Sequence, residues 1–275
     1  MTYELKDHGA PATSPLVEPW NLVADGYVAD LLPMMEYFAR EALHLASLPP
    51  SPHIVDVAAG PGTLAVLAAR NGATVSAIDF SPGMVANMHR REKEAGLHLA
   101  DVRVGDGQDL PYDDDVFDGA FSIHGLMFFP DRAAGFRELR RVLRPGRRAV
   151  VSIMGSVSSQ LHTAVDSLSA VLPALPAAQS EAPLSDPQML AREMSTAGFR
   201  EVAVHTVEYS ETLPSLPEFW EKVQRAAGGV VLLRHRLGEE RWAEVSHNVM
   251  ERLEKALGNG PVEEVYTAYL GVGVK

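Results

Sequence analysis

The chain has 275 residues, 46 % of them hydrophobic, with no cysteine and a formal net charge of −12. Length and composition suit one large α/β domain, or one domain carrying a sizeable insertion. The lack of cysteine excludes disulfides, thiolate metal sites and cysteine nucleophiles, and the acidity disfavours a nucleic-acid partner, whose phosphates require clustered Lys and Arg.

Residues 1–19 carry Pro11, Pro15 and Pro19 and read as a loose arm. The start of the chain, Met1 to Asp7, is polar and charged, and no apolar run approaches the ~20 residues of a membrane span. A soluble, cytoplasmic protein without a membrane partner is therefore expected. Residues 20–48 show helical spacing of apolar positions, and Pro33 splits them into two short helices. From His53 the pattern alternates strand and helix. Strands are expected at His53–Val57, Thr74–Asp79, Leu99–Val104, Val116–Ile123 and Arg147–Met154. Helices are expected at Thr63–Ala69, capped by Thr63, from Ser81-Pro82 to Gly96, and at Asp131–Leu143. Such alternation predicts a parallel sheet with right-handed crossovers. The basic cluster Arg137 to Arg148 reads as a solvated helix face and turn.

After Met154 the rhythm breaks. Residues 156–184 are weakly helical, Asp186–Gly198 is a capped helix, and Glu201–Thr212 alternates like a strand. Residues 214–259 are amphipathic and helical, and Val265–Val274 reads as the last strand. A strand, a helical excursion and a strand suggest a hairpin whose connection has grown into a cap. The expected architecture is a Rossmann-like doubly wound α/β sheet of seven strands, the last antiparallel, with N-terminal helices and helical cap insertions at about 156–184 and 214–262. Residues 1–48 form an arm and lid, 49–155 a cofactor-binding core and 156–275 the rest of the sheet with its cap, all within one structural domain.

Gly60 and Gly62 lie between a buried strand and a helix N-terminus, where glycine permits positive φ and close approach of a ligand. Gly60-Pro-Gly62-Thr-Leu-Ala65 also fits the dinucleotide pattern G-x-G-x-x-G/A. The acidic residues separate the two ligands. Asp79 ends the second strand, where a carboxylate accepts ribose hydroxyls in either case. Asp56, four residues before Gly60, would repel a pyrophosphate, which wants N–H dipoles there, but would attract an ammonium or a sulfonium. Asp106, in Gly105-Asp106-Gly107-Gln108, offers an acceptor for an adenine amine.

These runs resemble the class I S-adenosylmethionine (SAM)-dependent methyltransferase family. The resemblance rests on Val55-Asp56-Val-Ala-Ala-Gly60-Pro-Gly62-Thr63, Ala77-Ile-Asp79-Phe-Ser81-Pro-Gly-Met84 and Gly105-Asp106-Gly-Gln108-Asp-Leu110-Pro111, completed by Phe117-Asp118 and Leu143-Arg144-Pro145-Gly146. It covers about residues 53–154 and is similar in detail to the small-molecule branch that includes ubiquinone- and menaquinone-biosynthesis C-methyltransferases. The resemblance implies SAM as cofactor. It places Asp56 and the Gly60–Gly62 backbone against the methionine part, Asp79 on the ribose hydroxyls, Phe80, Ser81 and Met84 near the adenosine, Asp106 on adenine N6, and Gly107 and Gln108 along its edge. Ser122, at the end of the fourth strand, joins the cofactor set. The family's first glycine is Ala58 here, which costs little provided its φ stays negative.

Methyl transfer needs mainly alignment of acceptor and methyl group. His124, just beyond the fourth strand, is the best-placed titratable side chain, as a general base or as a hydrogen-bonding group for the acceptor. Trp20, Tyr27, Tyr37 and Phe38 can fold over the cofactor, with Tyr27 the foremost candidate. Phe128 and Phe129 can wall the acceptor pocket, with helix packing an equal reading, and Phe219, Trp220, Trp242 and Tyr266 of the cap suit an apolar or ring-bearing acceptor, although aromatic stripes at helical spacing are more often core. His235 and His247 form no recognisable metal set, so no metal is expected. The expected partner is a small-molecule methyl acceptor, not nucleic acid, and the protein is a monomer or homodimer. The rivals are a NAD(P)-dependent reductase, whose Tyr-x-x-x-Lys pair is absent, a SAM-binding protein of the same fold with lost or altered catalysis, and a protein or RNA methyltransferase.

Overall fold

The computed structural model describes residues 17–172 and 184–275. Of the expected arm, residues 1–16 lie outside the described residues, as do 173–183 of the first cap insertion. The chain opens with α1 (Glu18–Asp30) and α2 (Leu32–Ala46). They break at Leu31 because Pro33 is tolerated in the first turn of a helix but not inside one.

Then follow β1 (His53–Val57), α3 (Thr63–Arg70), β2 (Thr74–Asp79), α4 (Pro82–Glu94), β3 (Asp101–Val104), β4 (Phe117–Ile123), α5 (Arg132–Val142) and β5 (Leu143–Met154). The C-terminal part contributes α6 (Ser159–Val171), α7 (Pro187–Thr196), β6 (Arg200–Leu213), α8 (Leu216–Ala226), α9 (Gly228–Leu237), α10 (Glu239–Leu257) and β7 (Val262–Val274). Several boundaries follow from caps foreseen in the sequence. Ser81 Oγ accepts the Met84 N–H, and the Asp131 and Asp186 carboxylates accept the N–H groups that open α5 and α7.

All seven strands form one sheet in the order β3-β2-β1-β4-β5-β7-β6. The strands from β1 to β5 pair in parallel, and β7 is antiparallel to both of its neighbours. The sheet is thus Rossmann-like, as expected. Two details differ. β3 is shorter than its apolar run, and the Arg144-Pro145-Gly146 turn lies inside β5, where the register jumps from Phe117↔Leu143 to Gly119↔Arg148.

Period-two alternation divides the sheet into two buried faces. Ile54 and Val150 pack with Phe38 of α2 and Leu64 of α3, whereas Val55, Val57, Val151 and Ile153 pack with Phe136 of α5 and Leu190 of α7. A third core lies in the cap, where Phe219, Trp220 and Trp242 are buried with Leu168 and Val249. Those three aromatics are core, and both indole N–H groups are bonded within the cap, to Ser246 and Gln224.

Strand order reverses between β1 and β4, which opens a crevice beyond their carboxyl ends. β6 and β7 stay paired past the end of β5, from Tyr209↔Tyr266 to Leu213↔Val262, and overhang that crevice.

Candidate functional site

β1 runs into Ala58-Ala59-Gly60-Pro61-Gly62, and three of these residues are left-handed: Ala58 (φ 56), Gly60 (φ 55) and Gly62 (φ 75). The condition set for Ala58 in the sequence is therefore not met. An alanine occupies αL, which costs roughly 1–2 kcal/mol. Its methyl is accommodated by Gly125, where an added Cβ would lie 2.4 Å from Ala58 Cβ. Gly62, not Thr63, is the N-cap of α3, and it makes no side-chain cap. Thr63 is already helical, and its hydroxyl accepts from Arg91, which also holds the Pro61 carbonyl at 3.0 Å. A Cβ on Gly62 would strike Met88 at 2.4 Å, whereas Gly60 faces open space.

Two carboxylates grip this turn. Asp56 is 1 % exposed and accepts the Ala65 N–H at 3.1 Å. Asp79, at the end of β2, accepts the N–H of Gly60 with one oxygen and that of Ser81 with the other, both at 2.8 Å. Burial pushes Asp56 up to about 8, with the Asp79 charge adding to it against the Ala65 hydrogen bond. Burial pushes Asp79 up to about 6, opposed by its two backbone donors. Among the described residues no ion pair neutralises either group. Tyr27 of α1 stands close by, and burial, then Asp79 and Asp56, raise its phenol pKa.

Tyr27, Asp56, Ala58 and Gly60 line one cavity of about 30 Å³, together with Met35 and Ala39 of α2 and Ile123 of β4. That is room for little more than a water molecule, because α1 lies across the crevice. Asn21 Oδ1 accepts from Ser81 Oγ at 2.6 Å and from Gly83 N at 3.1 Å. Met84 is buried under Val23 and Ala24, and Phe80 beside it is half-buried. Salt bridges link the middle of α1 to α4 (Asp25–Arg90) and its C-terminal end to α8 (Asp30–Arg225).

The remaining candidates are not gathered at this cavity. Asp106 is exposed and held by Gln108, whose backbone N and Nε2 each donate at 2.9 Å. Gln108 Oε1 also takes the Asp131 N–H. Phe129 fills the space beside Gly107, so it packs against that loop. Phe128 is exposed and stacks edge-on against Trp20. Ser122 is fully buried and accepts the Leu126 N–H, a structural turn bond. His124 is 7 % exposed, adopts φ 54, and lies with its ring 5.2 Å from that of Phe38. Phe38 in turn packs with Tyr37 and Tyr209.

Three participants escape the sequence reading. Asn21 and Arg91 carry no local signal, since each acts on residues far along the chain. Ser152 bonds to His124; its only signal is a hydroxyl in the apolar run Ala-Val-Val-Ser-Ile of β5.

A methyltransferase-domain family model matches residues 55–151. Demethylmenaquinone methyltransferase of Mycolicibacterium gilvum is 36 % identical over 178 residues, which is 59 % of this chain and 73 % of that protein. The chain belongs to the class I SAM-dependent methyltransferases. An uncharacterized protein of Mycobacterium tuberculosis is 37 % identical over 125 residues, 46 % of this chain, but the match spans only 43 % of that protein's length. Among solved structures, the YcgJ protein of Bacillus subtilis superposes with a TM-score of 0.58 at 17 % identity, covering 86 % of this chain and 97 % of that one. Phosphoethanolamine N-methyltransferase 2 of Haemonchus contortus, solved with SAM, gives a TM-score of 0.52 at 18 % identity over 87 % and 52 %. SAM is the cofactor of this methyltransferase family, and the donor set fits it. An ammonium and a sulfonium supply the positive charge that the two buried carboxylates lack. Among the described residues no group of three or more His, Asp or Glu side chains is placed to hold a metal ion, and no helix is long and apolar enough to cross a membrane.

Proposed function

We propose that this protein transfers the methyl group of SAM to a small-molecule acceptor at an O, N or C atom. The observation that carries the reading is the pair Asp56 and Asp79, buried beside an open glycine turn and ion-paired to no cation among the described residues. When bound, SAM supplies a sulfonium-activated methyl group. The chain's own residues do the rest. Asp56 and the backbone of Gly60 to Gly62 hold the methionine part, and Asp79 holds the ribose hydroxyls. Phe80, Ser81 and Met84 form the adenosine shelf once α1 lifts from it. Asp106, Gly107 and Gln108 complete the far edge, with Asp106 turning from Gln108 to the adenine amine, and Ser122 supports the site through the turn it holds after β4. Tyr27 closes over the carboxylates, and His124 meets the acceptor.

A small acceptor is favoured over nucleic acid because most of the arginines of 137–148, though at the surface, are already paired with groups of this chain. Arg140 holds the Gly198 carbonyl, Arg141 pairs with Glu138 and Asp114, and Arg144 and Arg147 pair with Asp118. Relatives named demethylmenaquinone methyltransferase support a ring-bearing acceptor. Residues 1–48, 49–155 and 156–275 act as lid, cofactor core and cap of one domain, since β6 and β7 complete the core sheet.

Titration calorimetry with SAM and with its demethylated product tests the first half of this reading. A methyl-release screen over phenols, quinones, amines and halides tests the second. Micromolar SAM binding with transfer to one acceptor class is expected. No binding at millimolar SAM overturns the cofactor assignment. Binding without transfer to any class would replace the reading with a cofactor-binding protein of the same fold.

A further inference from the structure

Among the described residues, His124 Nε2 is a buried polar atom without a hydrogen-bond partner. Buried polar groups are almost always paired, so an orphan of this kind calls for a reason. The other side of the ring is fixed. The His124 backbone N–H donates to Ser152 Oγ at 2.9 Å, and Ser152 Oγ lies 3.1 Å from His124 Nδ1. Ser152 is fully buried in β5. Its oxygen accepts the backbone N–H with one lone pair, its own proton needs an acceptor as well, and among the described residues the only nitrogen or oxygen at hydrogen-bond distance able to take that proton is an unprotonated Nδ1. If Nδ1 carried the proton instead, the serine proton and the Nε2 lone pair would both be left unpaired. The other arrangement leaves only one group unpaired, an Nε2–H donor.

Burial lowers the His124 pKa to about 4, so the ring stays neutral near pH 7. Its neighbours face the reaction region. Ile123 and Ala58 line the cavity, Gly125 abuts Ala58, and Phe38 lies between Met35 and Ala39, which also line it.

We propose that Ser152 is a positioning residue that keeps the proton of His124 on Nε2, and that His124 therefore donates a hydrogen bond to an oxygen of the methyl acceptor, a carbonyl or phenolate oxygen. The proposal rests on the methyltransferase reading and narrows its acceptor class. In this role His124 takes no proton from the acceptor. Phe38, beside the ring, packs edge-on against Tyr37 and Tyr209, which are tilted against each other, and this aromatic group suits an aromatic body attached to that oxygen.

Nitrogen NMR of the full chain with labelled histidine reads the tautomer without any acceptor. The expected result is a proton on Nε2 and a bare Nδ1 in the native protein. Ser152→Thr, which keeps the hydroxyl, preserves this pattern, and Ser152→Ala mixes the tautomers. With the demethylated product of SAM bound, phenol should shift the Nε2–H signal and toluene should not. In turnover, His124→Gln, which retains an N–H donor in place of Nε2, should stay within about 10-fold of native kcat/KM. His124→Ala should lose on the order of 10- to 100-fold, with the SAM Kd unchanged in both. A proton found on Nδ1 in the native protein, or a Gln variant as inactive as the Ala variant, overturns the proposal. The SAM titration separates the two failures: absent SAM binding defeats the methyltransferase reading, whereas the tautomer is read regardless of it.

Discussion

The molecule encloses two pairs of carboxylates, Glu211 alone of the four being half-buried, and treats them in opposite ways. Asp56 and Asp79 lie in the cofactor core, where among the described residues their hydrogen bonds come from backbone N–H groups. Glu211 and Glu264 lie in the β6–β7 overhang, where Lys222 of α8 bonds to both. Tyr266 donates to Glu264 at 2.7 Å and Ser158 at 3.3 Å, so the fully buried Glu264 is satisfied from within the chain. Ionising either pair carries the desolvation penalty of buried charge. The overhang is a finished structure, because the chain supplies the cation. The core pair is incomplete, because its cation is expected from a ligand. This is why two chemically similar clusters read as architecture in one place and as a binding site in the other.

The comparison breaks most sharply at Lys222. Lys222→Met leaves the buried Glu264 and the half-buried Glu211 without their cation and should cost about 3 kcal/mol of stability, measured by urea unfolding. Adding Glu211→Gln and Glu264→Gln should recover much of that loss, since no charge then remains buried. The folded fraction of the single variant should keep its SAM affinity. A single variant as stable as the native protein would mean that the cluster is wetter than its burial indicates.

The mirror experiment is Asp56→Asn. Asparagine can still accept the Ala65 N–H but carries no charge. Apo stability near pH 7 should stay level or rise by about 1 kcal/mol, while SAM affinity falls on the order of 10- to 100-fold. Loss of stability together with unchanged SAM affinity would reverse the roles assigned to the two carboxylate pairs.

A proton should report the same asymmetry. The folded pKa of Asp56, about 8, lies above its unfolded value near 3.8. Between those values the folded apo protein holds a proton that the unfolded chain has lost. Apo stability is therefore fully present below the window and falls as pH rises through it, by up to about 1.4 kcal/mol per pH unit for one group. A cationic ligand favours the ionised carboxylate, so SAM binding near pH 7 should release up to one proton from Asp56. Calorimetry in two buffers of different ionisation enthalpy checks this. Equal heats in both would show that Asp56 is already ionised in the apo protein.

Much of this site was legible because its signals are local. The caps at Ser81, Asp131 and Asp186, the glycines after β1, and acids at strand ends each declare themselves within a few residues. The cap appeared in outline, as helical periodicity between two strands, but its own aromatic core did not. Trp220 and Trp242 look alike as pocket walls or as packing until the partners of their indoles are known. The Lys222 cluster joins residues 11 and 42 positions apart, and Asn21 reaches across 60 residues to Ser81. No window of sequence holds both partners. Ser152 was hidden for the same reason, and with it the choice between base and donor for His124.

The smallest expected effect lies in the turn between the two core carboxylates. Ala58 pays for its left-handed backbone, and Gly125 makes room for its methyl. Ala58→Gly removes the strain but adds backbone entropy to the unfolded chain, at roughly 0.4–1 kcal/mol. The net gain should be about 0–1 kcal/mol. Gly125→Ala in the native background should cost on the order of 1–3 kcal/mol, because two methyl carbons would meet at 2.4 Å. In the Ala58→Gly background most of that cost should vanish, and the double-mutant cycle measures the coupling directly. Additive effects would mean that Ala58 and Gly125 are not matched across the crevice. A coupled pair would mean that an alanine is accepted here because the residue after His124 is glycine. The turn that holds the carboxylates and the loop that carries His124 would then tolerate substitution only together.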